Sequence, residues 1–136
     1  MTAQGVPDAE FIFPLSSRHI PGHADTVTLT PGAQAWIEFK TTSGWAVTLR
    51  PAQVGWLSRR VRHGGRAFVA VRRVVAVQSM RRTKADELYL IPLTSAEQPA
   101  LLRDEGLRGS VKCFTWSGGP GVWNWSEVAR ILKGEE

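Results

Sequence analysis

The turn signal Thr30-Pro31-Gly32 sits between two strand-like runs and constrains this chain more than any other local feature. Ala24–Leu29 alternates and is β-branched, and Gln34–Lys40 alternates again. Proline and glycine at the centre of a turn reverse the chain, so the two runs form an antiparallel hairpin. Glu38 and Lys40 then leave one face of the returning strand with Trp36, and Ile37 and Phe39 leave the other. Asp25, at the start of the first strand, is folded back beside Glu38. Charged groups on a face opposite Ile37 and Phe39 suit a site at a sheet's edge.

After the polar loop Thr41–Gly44 comes a short extended piece, Trp45–Leu49. Pro51 fits the first turn of a helix. The helix runs to about His63, with Val54, Leu57 and Val61 on one face and Arg59, Arg60 and Arg62 pointing more outward. Gly64-Gly65 stops it. Ala67–Val77 reads as one or two strands, Met80–Ala85 as a basic loop, and Glu87–Ile91 as a strand ended by Pro92. Ser95–Leu107 reads as a helix weakened by Pro99, Val111–Trp116 as a short strand, and Ser117–Gly121 as a glycine-rich loop. A last helix, Glu127–Leu132, has Ser126 as its N-cap. A hairpin, a helix, further strands and terminal helical pieces make an α/β layout around a small mixed sheet. With 136 residues, 43% of them hydrophobic, residues 1–136 suit one compact domain with a real core.

Several classes are disfavoured. No apolar run approaches the ~18 residues of a membrane span. Met1–Glu10 lacks the pattern of a secretory signal. The lone Cys113 supports neither an internal disulfide nor a cysteine zinc site, so a reducing, cytoplasmic setting is the simplest reading. The net charge of +5 is unevenly spread: no acidic residue lies between Glu38 and Asp86. That block contains Arg50, Arg59, Arg60, Arg62, Arg72, Arg73, Arg81 and Arg82, the natural contacts for phosphate. His19 and His23 flank Asp25, and Trp36, Trp45 and Trp56 lie near it in sequence, suited to stacking on exposed bases. Trp116, Trp123 and Trp125 read as core or interface.

Cutting a phosphodiester needs an activated water and stabilisation of the charge that develops on oxygen. Magnesium, held by one or two carboxylates, acidifies the water, and a neighbouring lysine stabilises the anion. Asp25, Glu38 and Lys40 supply those parts, and the backbone carbonyl of Phe39 adds a further oxygen ligand. The segments Pro21-Gly22-His23-Ala24-Asp25, Trp36-Ile37-Glu38-Phe39-Lys40 and Leu49-Arg50-Pro51-Ala52-Gln53 together resemble the PD-(D/E)XK nuclease superfamily. Within it the chain is most similar to phage-encoded resolvases of the archaeal Holliday junction type, over about Pro21–Ile91.

The resemblance implies a restriction-endonuclease-like fold, a central mixed β-sheet flanked by helices, and a magnesium-dependent endonuclease in which manganese substitutes. Asp25 and Glu38 would bind the metal, Lys40 would be the catalytic lysine, and Gln53 would order metal-site waters or the scissile phosphate. Ala24 stands where the family commonly has proline. Glu10 is the candidate for a further acidic ligand, matched loosely because the N-terminal stretch is broken by prolines. The implied substrate is branched or duplex DNA, cut by a homodimer in the host cytoplasm if the chain is phage-encoded. A nuclease of the same fold acting on flaps, nicks or single strands, and a non-catalytic basic nucleic-acid-binding protein, are the alternatives.

Overall fold

The protein is described by a computed structural model covering residues 25–30, 33–77 and 82–134, with side chains for 35–76 and 83–134. Strand β1 (Asp25–Thr30) and strand β2 (Ala33–Thr42) form the expected hairpin. Helix α1 (Pro51–Arg62) follows, then strand β3 (Ala67–Val77) and strand β4 (Arg82–Leu93). Helix α2 (Gln98–Glu105), the short strand β5 (Phe114–Trp116) and helix α3 (Trp125–Lys133) complete the described chain.

The strands lie in the sheet in their sequence order, β1 to β5. Only β2 and β3 run parallel; the other neighbours are antiparallel. A parallel pair needs a crossover, and α1 supplies it. The protein is therefore α/β, with a mixed sheet flanked by helices. Among the described residues no helix is long and apolar enough to cross a membrane.

Alternation along the strands builds two cores, one on each face. Under α1 and α2 lie Val69, Val71, Ile91 and Leu93, closed by Leu57 of α1 and Leu102 of α2. Under α3 lie Ile37, Phe68, Ala70, Leu88 and Leu90, closed by Val128 and Leu132. Burying one leucine-sized side chain contributes roughly 1.5–3 kcal/mol, so each face is a substantial source of stability. The two-sided cover corrects the expectation of a site at the sheet's edge. β2 is an inner strand, and the face carrying Trp36, Glu38 and Lys40 lies on the α1 side.

Local chemistry explains the element ends. Pro51 opens α1, and the extended Arg50 (φ −74°, ψ 157°) precedes it. Three arginines in the last turn, Arg59, Arg60 and Arg62, oppose the negative end of the helix dipole. Several boundaries differ from expectation. Trp45–Leu49 forms no strand, although Val47 and Leu49 are buried in the α1 core. β4 starts at Arg82, inside the stretch read as a loop, and runs through Pro92. Pro92 lies beyond the Leu88–Leu90 segment that pairs with β5, where β4 is an open edge and a missing N–H is tolerated. Pro99 stands in the first turn of α2, so it starts that helix rather than weakening it. Asn124, not Ser126, caps α3, its side chain accepting the Glu127 N–H at 3.1 Å.

Candidate active site

The polar residues of the α1 core converge where β2 meets the start of α1. Glu38 and Gln53 are the buried polar residues among the described side chains, 6% and 2% exposed. Gln53 Nε2 donates to Glu38 Oε2 at 3.0 Å. Gln53 Oε1 accepts from Lys40 Nζ at 3.1 Å and from the Arg50 backbone N–H at 2.9 Å. Lys40 Nζ also lies 3.6 Å from Glu38 Oε2.

These contacts fix which way the Gln53 amide points. Flipped, its NH2 would face two donors and its carbonyl oxygen would face a carboxylate. The same side chain ties the first turn of α1 to β2, because it caps Arg50 while gripping both charged residues of the strand. Buried charge is costly unless it is paired and hydrogen-bonded, and Glu38 is both. The result is an oriented carboxylate beside a lysine whose side chain is one-fifth exposed.

Asp25 is described by its backbone alone. It begins β1 and pairs in register with Ile37, one position along β2 from Glu38. The hairpin thus sets Asp25 directly opposite Ile37, at a position of the α3-facing row, and one position out of register with Glu38. Phe39 pairs with Ala70, between the two charged residues of β2, and its ring packs against the α3 core. Glu10, His19, His23 and Arg81 lie outside the described residues, and of Arg82 the backbone alone is described. Oxygen donors at Glu38 and Asp25 are of the type magnesium takes. Among the described side chains, however, no group of three or more His, Cys, Asp or Glu residues gathers around a common point.

The eight arginines expected to meet phosphate divide sharply. Arg72 is bidentate on Asp86, at 2.9 and 2.7 Å, and this bond raises its pKa above the ordinary arginine value. Arg73 donates to Glu87 at 3.1 Å and to the Gly44 carbonyl at 2.9 Å. Both therefore serve the β3–β4 sheet, and their charge is matched within it. Arg50, Arg59 and Arg62 are exposed. Arg60 instead lies against indoles, its guanidinium carbon 4.7 Å from the Trp36 ring centroid and 5.1 Å from that of Trp56.

Trp45 has a positioning role that the sequence pattern does not signal. Its ring lies between the guanidiniums of Arg73 and Arg108, 3.7 and 3.8 Å from its centroid. Its carbonyl accepts the Leu107 N–H at 2.8 Å, and a side chain at Gly106 would collide with that carbonyl at 2.6 Å. The loop joining Lys40 to Gln53 is thereby fastened to the body of the protein. Within that loop the Thr42 hydroxyl accepts the Gly44 N–H at 3.2 Å. No family model, curated protein or solved structure matches this chain.

Proposed function

We propose that this protein is a magnesium-dependent, structure-selective DNA endonuclease of restriction-endonuclease-like fold, acting as a Holliday junction resolvase. The observation that carries the reading is the Glu38–Gln53–Lys40 network. It consists of a buried carboxylate and a partly exposed lysine, both hydrogen-bonded to one buried amide and 3.6 Å from each other. A purely structural core gains little from such a group, since apolar residues of similar size often serve stability as well or better. A phosphodiester-cutting site uses each part.

In this reading Glu38 and Asp25 supply oxygen ligands, with the Phe39 carbonyl beside them. When bound, magnesium would polarise the phosphate and lower the pKa of a coordinated water. Lys40 donates to the oxygen on which charge develops, and its contact with Gln53 limits the directions it explores. Gln53 acts as a positioning residue: its amide aims Glu38 and Lys40 instead of meeting the phosphate itself. A resolvase cuts two strands related by symmetry, so two copies of the chain act together.

The test is to incubate the protein with magnesium and a four-way junction, a fork, a flap and a linear duplex. Paired symmetric nicks on the junction, abolished in Lys40→Ala while binding persists, are expected. Equal cutting of linear duplex would remove the junction specificity. Binding without cleavage of any substrate would leave a non-catalytic nucleic-acid-binding protein.

A further inference from the structure

The second half of α1 carries a small basic hollow that the cutting chemistry does not use. It has a volume of about 200 Å³ and is lined, among the described residues, by Trp56, Arg59, Arg60 and His63. Ligand pockets for whole organic molecules are usually larger, about 300–1,000 Å³, so the space suits a phosphate group better than a nucleobase.

Arg60 is built rigidly into this hollow. Its aliphatic stem lies over Gly65, where an added Cβ would come within 2.2 Å of Arg60 Cδ. Its guanidinium rests against Trp36 and Trp56, whose rings meet edge-on at 5.3 Å. Its Nε is buried without a hydrogen-bond partner among the described residues, so an anion in the hollow would meet the terminal guanidinium nitrogens. No ion pair to Arg59, Arg60 or His63 occurs among the described residues, in contrast to Arg72 and Arg73. Stacking rather than a carboxylate holds the Arg60 charge in place, and that leaves the charge for an incoming anion.

The hollow also lies in line with the candidate active site. Trp36 precedes Glu38 by two positions on the same face of β2, and Trp56 follows Gln53 by one helical turn. We propose that Arg60, with Arg59 and His63, holds a backbone phosphate of the DNA strand next to the phosphate presented to Glu38 and Lys40. The identity of the polyanion as DNA rests on the function proposed above; the anion site itself does not.

The test is binding of a fluorescently labelled four-way junction, followed by anisotropy without divalent ions, at salt from about 50 to 200 mM. Arg60→Gln should raise Kd roughly tenfold, and Arg59→Gln by about threefold or more. Each should reduce the slope of log affinity against log salt by about 0.9, the loss of one phosphate contact. Arg130→Gln, exposed on α3 and outside the hollow, should change Kd less than about twofold. Arg59 is exposed, so Arg59→Gln carries the test if Arg60→Gln lowers the melting temperature. Equal losses for Arg59→Gln and Arg130→Gln, or unchanged salt slopes for Arg59→Gln and Arg60→Gln, would overturn the inference. A protein that binds in the expected pattern yet never cuts keeps this site and loses the nuclease reading. One that cuts while Arg59→Gln and Arg60→Gln bind like the parent loses this site alone.

Discussion

Strand β2 feeds both faces of the sheet, and the two faces are built on different terms. Toward α3 it contributes Ala35, Ile37 and Phe39, which pack with Phe68, Leu88, Val128 and Leu132. Toward α1 it contributes Trp36, Glu38 and Lys40, and the helix answers with Gln53 as well as Leu57. The first face is explained by burial alone. The second carries a carboxylate that burial penalises and a network that offsets the penalty. Within one sheet, residues one position apart are therefore held on different terms, apolar burial on one side and a hydrogen-bonded polar network on the other.

The contrast is most exposed at Lys40. Lys40→Ala is expected to lower magnesium-dependent cleavage about 10²–10³-fold, the range for removing one donor to a developing oxyanion. It also leaves the buried Glu38 carboxylate without its cation, so a loss of stability accompanies it and the rate is read per folded molecule. A different pattern is expected at Leu132, which is 1% exposed on the α3 face. Leu132→Ala should cost about 2–5 kcal/mol in denaturant unfolding while leaving the rate per folded molecule unchanged. A large rate loss in Leu132→Ala with an intact fold would erase the distinction between the faces.

Gln53 sharpens the comparison further. Gln53→Leu leaves the buried Glu38 carboxylate without its amide donor and should cost about 1–3 kcal/mol. Replacing both partners, Glu38→Leu with Gln53→Leu, should recover most of that loss, because apolar groups replace a desolvated polar pair. The double variant should be stable and inactive. If it is less stable than Gln53→Leu alone, the network serves the fold, and the argument for a site on this face weakens.

Much of this layout is legible in the residues, and the failures have physical causes. The hairpin and α1 show because each buries one face and so imposes a period on the sequence. Gln53 stands out by its place after Pro51 within the quoted motif, and it is indeed buried and joined to Glu38 and Lys40. The start of β4 does not show, because Thr83 and Lys84 are exposed and no apolar alternation marks them. Arg72 and Arg73 look like unmatched charge in a stretch without acids. Their partners Asp86 and Glu87 lie just past its end and are returned to them across the β3–β4 pair. Asn124 and Ser126 are both competent caps, and spacing decides: Asn124 stands three residues before Glu127, whose N–H it accepts. The anchoring of Trp45 depends on Arg73 and Arg108, far away in sequence, so no local pattern announces it.

The smallest expected effect concerns how the loop between the two halves of the site is held. Tyr89 is buried on the α1 face, its hydroxyl donates to Glu87 at 2.9 Å, and its ring meets Trp45 edge-on at 6.3 Å. Burial first, and then the bond to the Glu87 carboxylate, push its pKa up to about 12. In the unfolded chain the phenol returns to about 10. The folded state therefore keeps the proton where the unfolded state releases it. The resulting stability is fully present below pH about 10 and is lost as pH rises through about 12. Tyr89→Phe should remove this component, so that unfolding followed between those pH values declines less steeply than in the parent. It should also loosen Glu87 from its shared role with Arg73, and through Arg73 the cover over Trp45. A modest fall in cleavage, well short of that for Lys40→Ala, is the expected readout at neutral pH. Identical alkaline profiles for parent and variant would show that the phenol contributes no linkage, and that Trp45 is held by the arginines alone.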